Sequence, residues 1–379
     1  MPAPHDQSAG GLPIRGAVLR EIGAARPYAS SRPIRIEELE LDAPREHELR
    51  IRLEAASICH SDLSVVNGSR ARPVPMLLGH EAAGIVEAIG SDVDDVSIGQ
   101  RVIATFLPRC GECENCRTAG RLPCATGSRA NGVGELMDGG RRLHGDAEDI
   151  AHHLGVSGFA THAVVDRRSV VPVDPDVPAE VAALMGCAVL TGGGALLNDG
   201  RITPETDVAI VGLGGVGMAG LLTAAAIGCR SIVAIDTKPE KLALALELGA
   251  TAAVTPDQAL ETGARAGVVL EAVGHPSAFE TAIGVVRAGG TVITVGLPAP
   301  QATARIEPLR VTAEALTIVG SYMGSAVPER DIPTFVNLWR QGNFPVERLV
   351  SARIGLDHIN EAMDALAEAD ALRQVIEFA

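Results

Sequence analysis

The chain has 379 residues, 46% of them hydrophobic and 21% charged, enough for two globular domains that each bury a core. A formal net charge of −15 argues against nucleic acid or an anionic membrane surface as a general partner. No apolar run reaches the roughly 18 residues of a membrane span, and the leading MPAPHDQSAGGLP has neither an apolar core nor a basic leader. A cytoplasmic chain with a frayed N-terminal extension is therefore expected.

In chain order, residues 14–56 alternate apolar and polar positions in short runs, as in Leu49-Arg50-Ile51-Arg52-Leu53, and read as β-rich. Two chemically distinctive stretches follow, Ile58-Cys59-His60-Ser61-Asp62 and Gly79-His80-Glu81-Ala82-Ala83-Gly84. Cys110, Cys113, Cys116 and Cys124 then stand in the pattern C-x2-C-x2-C-x7-C. Four thiols so spaced can close a tetrahedral shell around a structural zinc, leaving no open position. With 7 cysteines, an odd number with four tightly clustered, metal is favoured over disulfides.

Residues 127–158 are rich in Gly, Arg and Asp, and the adjacent His152 and His153 read as surface or loop residues rather than ligands. Pro178 opens a short helix, Ala179–Leu184, ahead of Gly186-Cys187 and an Ala/Leu-rich segment ending at Asn198.

Residues 207–236, DVAIVGLGGVGMAGLLTAAAIGCRSIVAID, carry the clearest signal. A short apolar strand leads into Gly212, Gly214 and Gly217 in G-x-G-x-x-G spacing, with Gly215 and Val216 between the last two, followed by an Ala/Leu-rich helix. The spacing suits a tight turn, close backbone approach to a pyrophosphate and close helix–strand packing. Asp236 ends the second strand, where a carboxylate accepts from ribose hydroxyls and repels a 2′-phosphate; NAD is expected over NADP. The βα rhythm continues to residue 319 and predicts a parallel sheet with helices on both faces. It breaks after Met323, where residues 329–342 and an apolar face of Ile359, Ala362, Met363 and Leu366 predict two helices.

Cys59, His80 and Cys187 are the ligand types of a catalytic zinc with an open fourth position, but spacing alone does not bring them together. Cys229 reads as a small packing residue. In their common order, these motifs resemble the zinc-dependent alcohol dehydrogenases of the medium-chain dehydrogenase/reductase superfamily, from about residue 14 to the end. The resemblance implies an α/β architecture: a Rossmann doubly wound parallel sheet domain (188–323) plus a β-rich GroES-like catalytic domain. The latter is formed by residues 1–187, with its structural zinc lobe at 110–124, and completed by 324–379.

It further implies that Cys59, His80 and Cys187 hold a catalytic zinc, with Glu81 as an alternative ligand and Asp62 orienting the imidazole. Cys110, Cys113, Cys116 and Cys124 match the ligands of a second, structural zinc. Ser61 matches the hydroxyl that starts a proton relay. Ser64 stands where many members continue that relay with His, which leaves the proton to water. His60 replaces an Arg that faces the cofactor pyrophosphate, implying a looser hold on the cofactor. Lys241 and Arg373 match further cofactor contacts, and Phe106, Leu297 and Tyr322 match the wall of the alcohol pocket.

The implied activity is reversible NAD-dependent oxidation of a primary, or secondary, alcohol to an aldehyde or ketone. Aromatics make up only 2% of the chain, which suits a mainly aliphatic pocket for medium-chain, allylic or benzylic alcohols. The alternatives are a thiol-dependent formaldehyde dehydrogenase and a non-catalytic NAD- and zinc-binding protein. The segment NGSRARP, residues 67–73, lacks the acid by which glutathione-dependent relatives recognise their adduct. The long segment between the zinc lobe and Cys187 resembles the dimeric branch, so a homodimer is expected, with a homotetramer as the alternative.

Overall fold

The computed structural model describes residues 11–378; the predicted N-terminal extension lies largely outside them. Asp207–Val211 sits at the centre of a six-stranded, wholly parallel sheet. Its order runs Ala252–Val254, Ser231–Ile235, Asp207–Val211, Ala266–Glu271, Val286–Thr294 and Thr317–Gly320. This is the doubly wound arrangement expected from the βα rhythm, and ligands in such sheets bind beyond the carboxyl ends of the strands. The apolar runs that were read as buried strands are so: Val208 and Ile210 are both 0% exposed.

The remaining strands form a small closed barrel and a seven-stranded, mostly antiparallel sheet. In the latter, Glu48–Ile58 pairs with Glu81–Ile89 on one side and Arg373–Glu377 on the other. The alternation of this strand is decided by its two faces. Leu49, Ile51 and Leu53 are buried in the core, while Arg52 reaches Glu87 on the opposite face with Nε 3.3 Å from Oε1. Val170–Val173 lies at one end of this sheet, an edge position that accommodates Pro172, which has no N–H to give. The last segment of the chain thus returns to the first: Gln374 stands opposite Ile58, and Ser57 opposite Glu81.

One expectation on helix extent is corrected. Ala179–Leu184 is only the first part of a continuous helix, Ala179–Asp199, with wide π turns at Met185–Val189 and Ala195–Asp199. Its length and apolar composition would suffice to cross a membrane, contrary to the sequence reading. However, 89% of the qualifying stretch is buried inside the protein, so protein rather than lipid covers it. The Gly residues that make it look featureless admit its neighbours. A Cβ at Gly186 would lie 2.2 Å from the Ala104 carbonyl oxygen, and one at Gly192 would lie 2.0 Å from that of Val216.

The 127–158 segment is also more ordered than its composition suggested. It contains the helix Ala125–Val133 and the short strands Leu143–His144 and Asp149–His152. Arg142 is fully buried and pairs with Glu48, its Nε donating to Oε2 at 2.8 Å. His152 is buried as well, and its Nε2 accepts the Arg142 backbone N–H at 3.0 Å. Burial, assisted by Arg142 and Arg141, pushes the His152 pKa down to about 3, so it stays a neutral structural acceptor. Removing one member of a buried ion pair leaves an uncompensated charge, so Arg142→Met should cost about 3–5 kcal/mol of stability. An unfolding midpoint in urea unchanged from the parent would show that Glu48 is satisfied in another way.

Candidate active site

Cys59, His80 and Cys187 arrive from three separate elements. Cys59 follows the strand Glu48–Ile58 and precedes the helix His60–Val66. His80 precedes the strand Glu81–Ile89, in a turn that only Gly79 can make. Gly79 has φ +95°, and a Cβ there would lie 2.5 Å from the Phe159 backbone nitrogen. Cys187 sits in the first π turn of the long helix, brought against Ala104 by Gly186. The ligand atoms of Cys59, His80, Glu81 and Cys187 all lie within 4.8 Å of one another, and all four residues are buried.

Asp62 organises this group. Its Oδ2 accepts the Cys59 backbone N–H at 2.9 Å, and its Oδ1 accepts His80 Nδ1–H at 2.9 Å. That bond leaves His80 Nε2 free as a metal donor. His153, expected at the surface, is instead buried, with Nδ1 3.2 Å from the same Asp62 Oδ1 and its ring edge-on to His80. Burial alone would raise the Asp62 pKa, but His80 and His153 overcome it and hold the group at about 2.

Glu81 Oε1 accepts Arg373 Nη1–H at 2.9 Å and lies 3.9 Å from His80 Nε2, while its buried Oε2 has no partner. Burial pushes the Glu81 pKa up to about 7 against the pull of Arg373. Two buried thiols, one oriented imidazole and a nearby carboxylate with a free oxygen form a donor set that fits zinc.

A cavity of about 850 Å³ runs from this cluster to the Gly-rich turn. Ser61, His60 and Phe106 line it beside the cluster, with Tyr322 close by, its ring centroid 6.0 Å from that of Phe106. Leu297 is half exposed at the wall. His60 opens into the cavity. Desolvation there lowers its pKa, with Arg373 and Lys241 acting in the same sense against the pull of Cys59. Ser64 also lines the cavity, and its hydroxyl donates to the His60 carbonyl at 2.8 Å.

At the other end, Gly212 takes φ +93°, and a Cβ on Gly217 would lie 1.8 Å from the Gly212 oxygen. Gly214 faces open space, and Gly215 and Val216 begin the helix Gly215–Ile227. Asp236 Oδ2 accepts the Leu213 N–H at 2.7 Å and Oδ1 that of Lys238 at 3.0 Å, so the carboxylate is fixed beside the turn. A Cβ at Gly215 would meet Arg373 Nε at 1.9 Å, and that Nε is buried without a partner. An unpaired guanidinium nitrogen against a helix N-terminus fits a bound pyrophosphate. Lys241 lines the same end.

The four remaining predicted ligands form a separate lobe. Cys110 and Cys116 sulfurs are 3.8 Å apart, and those of Cys113 and Cys124 are 4.0 Å apart. Four sulfurs at about 2.3 Å from a tetrahedral zinc stand about 3.8 Å from one another. The lobe therefore has the dimensions of a closed zinc shell.

The family model described as alcohol dehydrogenase GroES-like domain matches residues 45–175, and that described as zinc-binding dehydrogenase matches residues 215–340. The chain belongs to the zinc-dependent alcohol dehydrogenases of the medium-chain dehydrogenase/reductase superfamily. It is 36% identical to the geraniol dehydrogenase of Castellaniella defragrans over 377 residues, covering 97% of this chain and 98% of that one. Among solved structures, an alcohol dehydrogenase zinc-binding domain protein from Burkholderia ambifaria superposes with a TM-score of 0.90 at 32% identity, covering 97% of this chain and 99% of its own. Benzyl alcohol dehydrogenase from Acinetobacter calcoaceticus gives 0.88 at 30% identity, covering 97% and 100%.

Sequence reasoning missed His153 as part of this dehydrogenase site, because adjacent histidines in a Gly-rich stretch carry no signal of burial. It weighed the segment 67–73 only for the acid that it lacks; the Arg70 and Arg72 of that segment both line the cavity. Removing the carboxylate behind a metal-bound imidazole costs about 10–100-fold in metal affinity, so Asp62→Asn should lose the catalytic zinc to a chelator at correspondingly lower concentration. Equal chelator resistance in parent and variant would take that role from Asp62.

Proposed function

We propose that this chain oxidises a primary alcohol to its aldehyde, reversibly, with NAD as hydride acceptor and a catalytic zinc held by Cys59, His80 and Cys187. A second zinc in the lobe of Cys110, Cys113, Cys116 and Cys124 has a folding role. The observation that carries this reading is the convergence of three donors, distant in sequence, at one end of a cavity whose other end is the Gly-rich turn. The relatives named for geraniol and benzyl alcohol, an allylic and a benzylic primary alcohol, support the substrate class.

Zinc supplies a Lewis acid that lowers the pKa of the alcohol, and NAD supplies the hydride acceptor. The residues of the chain do the rest. Asp62 keeps the His80 ring oriented, and Arg373 tethers Glu81 beside the donors. Ser61 takes the hydroxyl proton as the carbinol carbon gives up hydride. Ser64 donates its hydroxyl to the His60 carbonyl, and Ser61 balances the proton that it accepts by releasing its own to water. Phe106, Tyr322 and Leu297 restrict water around the reacting carbon. Asp236 favours NAD by placing a carboxylate where NADP carries its 2′-phosphate. We also propose a homodimer, supported by the exposed Ile318 on the edge strand Thr317–Gly320.

The reading is tested by initial rates of NAD reduction with a panel of primary alcohols that includes geraniol and benzyl alcohol, alongside zinc analysis; absence of turnover of every member in the zinc-loaded protein would refute it. Ser61→Ala should keep zinc and NAD binding yet lower kcat by about 10²–10⁴-fold. Turnover at the parental rate would remove Ser61 from proton transfer. Asp236→Gly should move the ratio of kcat/KM values toward NADP, and an unmoved ratio would contradict the ribose assignment.

A further inference from the structure

Arg70 and Arg72 stand out among the charged groups around the cavity. Many arginines of this chain are paired with acids, as Arg101 is with Glu54 and Arg340 with Asp174 and Asp176. Among the described residues, neither Arg70 nor Arg72 has a side-chain hydrogen bond or an acid within ion-pair distance, although the chain carries a net charge of −15. The Nε of Arg72 is buried and has no partner. Leaving a guanidinium donor buried and unmet is costly, and such a group is satisfied when something arrives to meet it.

Their position separates them from the cofactor end. The carboxylates that line the cavity, Asp236, Asp257 and Glu280, all belong to the segment that forms the six-stranded sheet. Arg373 and Lys241 act on His60, whereas Arg72 and Arg70, followed by His80, act on Tyr322. Tyr322 stacks edge-on against Phe106, which in turn stacks against His80. Two groups of positive charge therefore flank the cavity, one toward the Gly-rich turn and one toward the substrate wall. Pro73 and the bond from the Arg70 backbone N–H to the Ser64 carbonyl, 2.8 Å, fix the segment that carries the second group. Burial, offset in part by Tyr322 and reinforced by Arg70, pushes the Arg72 pKa below its ordinary value. A bound anion would reverse that.

We propose that Arg70 and Arg72 form a subsite for the anionic tail of the substrate, so that this dehydrogenase acts on alcohols and aldehydes that carry a carboxylate. The inference rests on the alcohol dehydrogenase reading above and narrows its substrate class. A guanidinium recognises a carboxylate through paired, charge-assisted N–H donors, which a hydrocarbon tail cannot use. An apolar tail entering the same space would leave both charges desolvated and unmet.

The test is a set of matched pairs assayed with the zinc-loaded enzyme and NAD: γ-hydroxybutyrate against n-butanol, ε-hydroxycaproate against n-hexanol, and para-(hydroxymethyl)benzoate against benzyl alcohol. In at least one pair the acid should exceed the neutral alcohol in kcat/KM by about tenfold or more, and its methyl ester should lose that advantage. Added salt should raise KM for the acid more than for the alcohol. In the double variant Arg70→Gln/Arg72→Gln the ratio of acid to alcohol should fall toward one, mainly through KM.

Equal or better use of the neutral partner in all three pairs by the parent enzyme would overturn the subsite while leaving the alcohol dehydrogenase reading intact. So would a double variant that loses activity on acid and alcohol alike, or one whose KM changes for NAD rather than for the acid. No turnover of any alcohol would refute that reading itself, and the subsite with it.

Discussion

A single buried carboxylate sets the geometry on which the rest of the centre depends. Asp62 is wholly enclosed, and an enclosed carboxylate must find its hydrogen bonds within the protein. It finds them at the backbone of Cys59 and the ring of His80, with the His153 ring packed 3.2 Å from the same oxygen as His80. The start of the His60–Val66 helix, the orientation of a metal-donating imidazole and the buried turn after Asp149–His152 are therefore one object. Moving either of the first two would leave part of the carboxylate unmet.

Sheet register supplies the second layer of order. Because Ser57 faces Glu81 and Ile58 faces Gln374, three strand ends converge at one spot: the residue after one strand, Cys59, and the first residues of two others, Glu81 and Arg373. Arg373 then spans the gap between the metal donors and the nucleotide turn, bonded to Glu81 on one side and packed against Gly215 on the other. A slip of one residue in the final strand would turn that guanidinium to the opposite face of the sheet. The two ends of the cavity are thus held at a fixed separation by a strand from the far end of the chain.

Much of this was legible in the sequence because the relevant signals are short and local. The Gly-rich turn and the four-thiol lobe follow from local spacing, and the acid at Asp236 from its place at the end of the next strand. Cys59, His80 and Cys187 were legible only through resemblance, since no local pattern encodes contacts between strands and a helix so far apart. His153 was misread because a polar pair in a Gly- and Arg-rich stretch resembles a surface loop. What buries it is Asp62, a partner about ninety positions earlier. The long helix was cut short for a similar reason. The helix was ended at Leu184, ahead of Gly186 and Gly192, where other backbones come close, and of Gly193, where the Phe335 ring and the Thr223 hydroxyl do.

That glycine seam has a mechanical consequence. Side chains can change rotamer to let packed elements slide, but a helix lying directly on the Ala104 and Val216 carbonyl oxygens has nothing at those points to rearrange. Sliding this helix along either neighbour would therefore require the backbone itself to move. Cys187, next to Gly186 on that helix, is held in place by backbone against backbone rather than by a side chain that could turn aside.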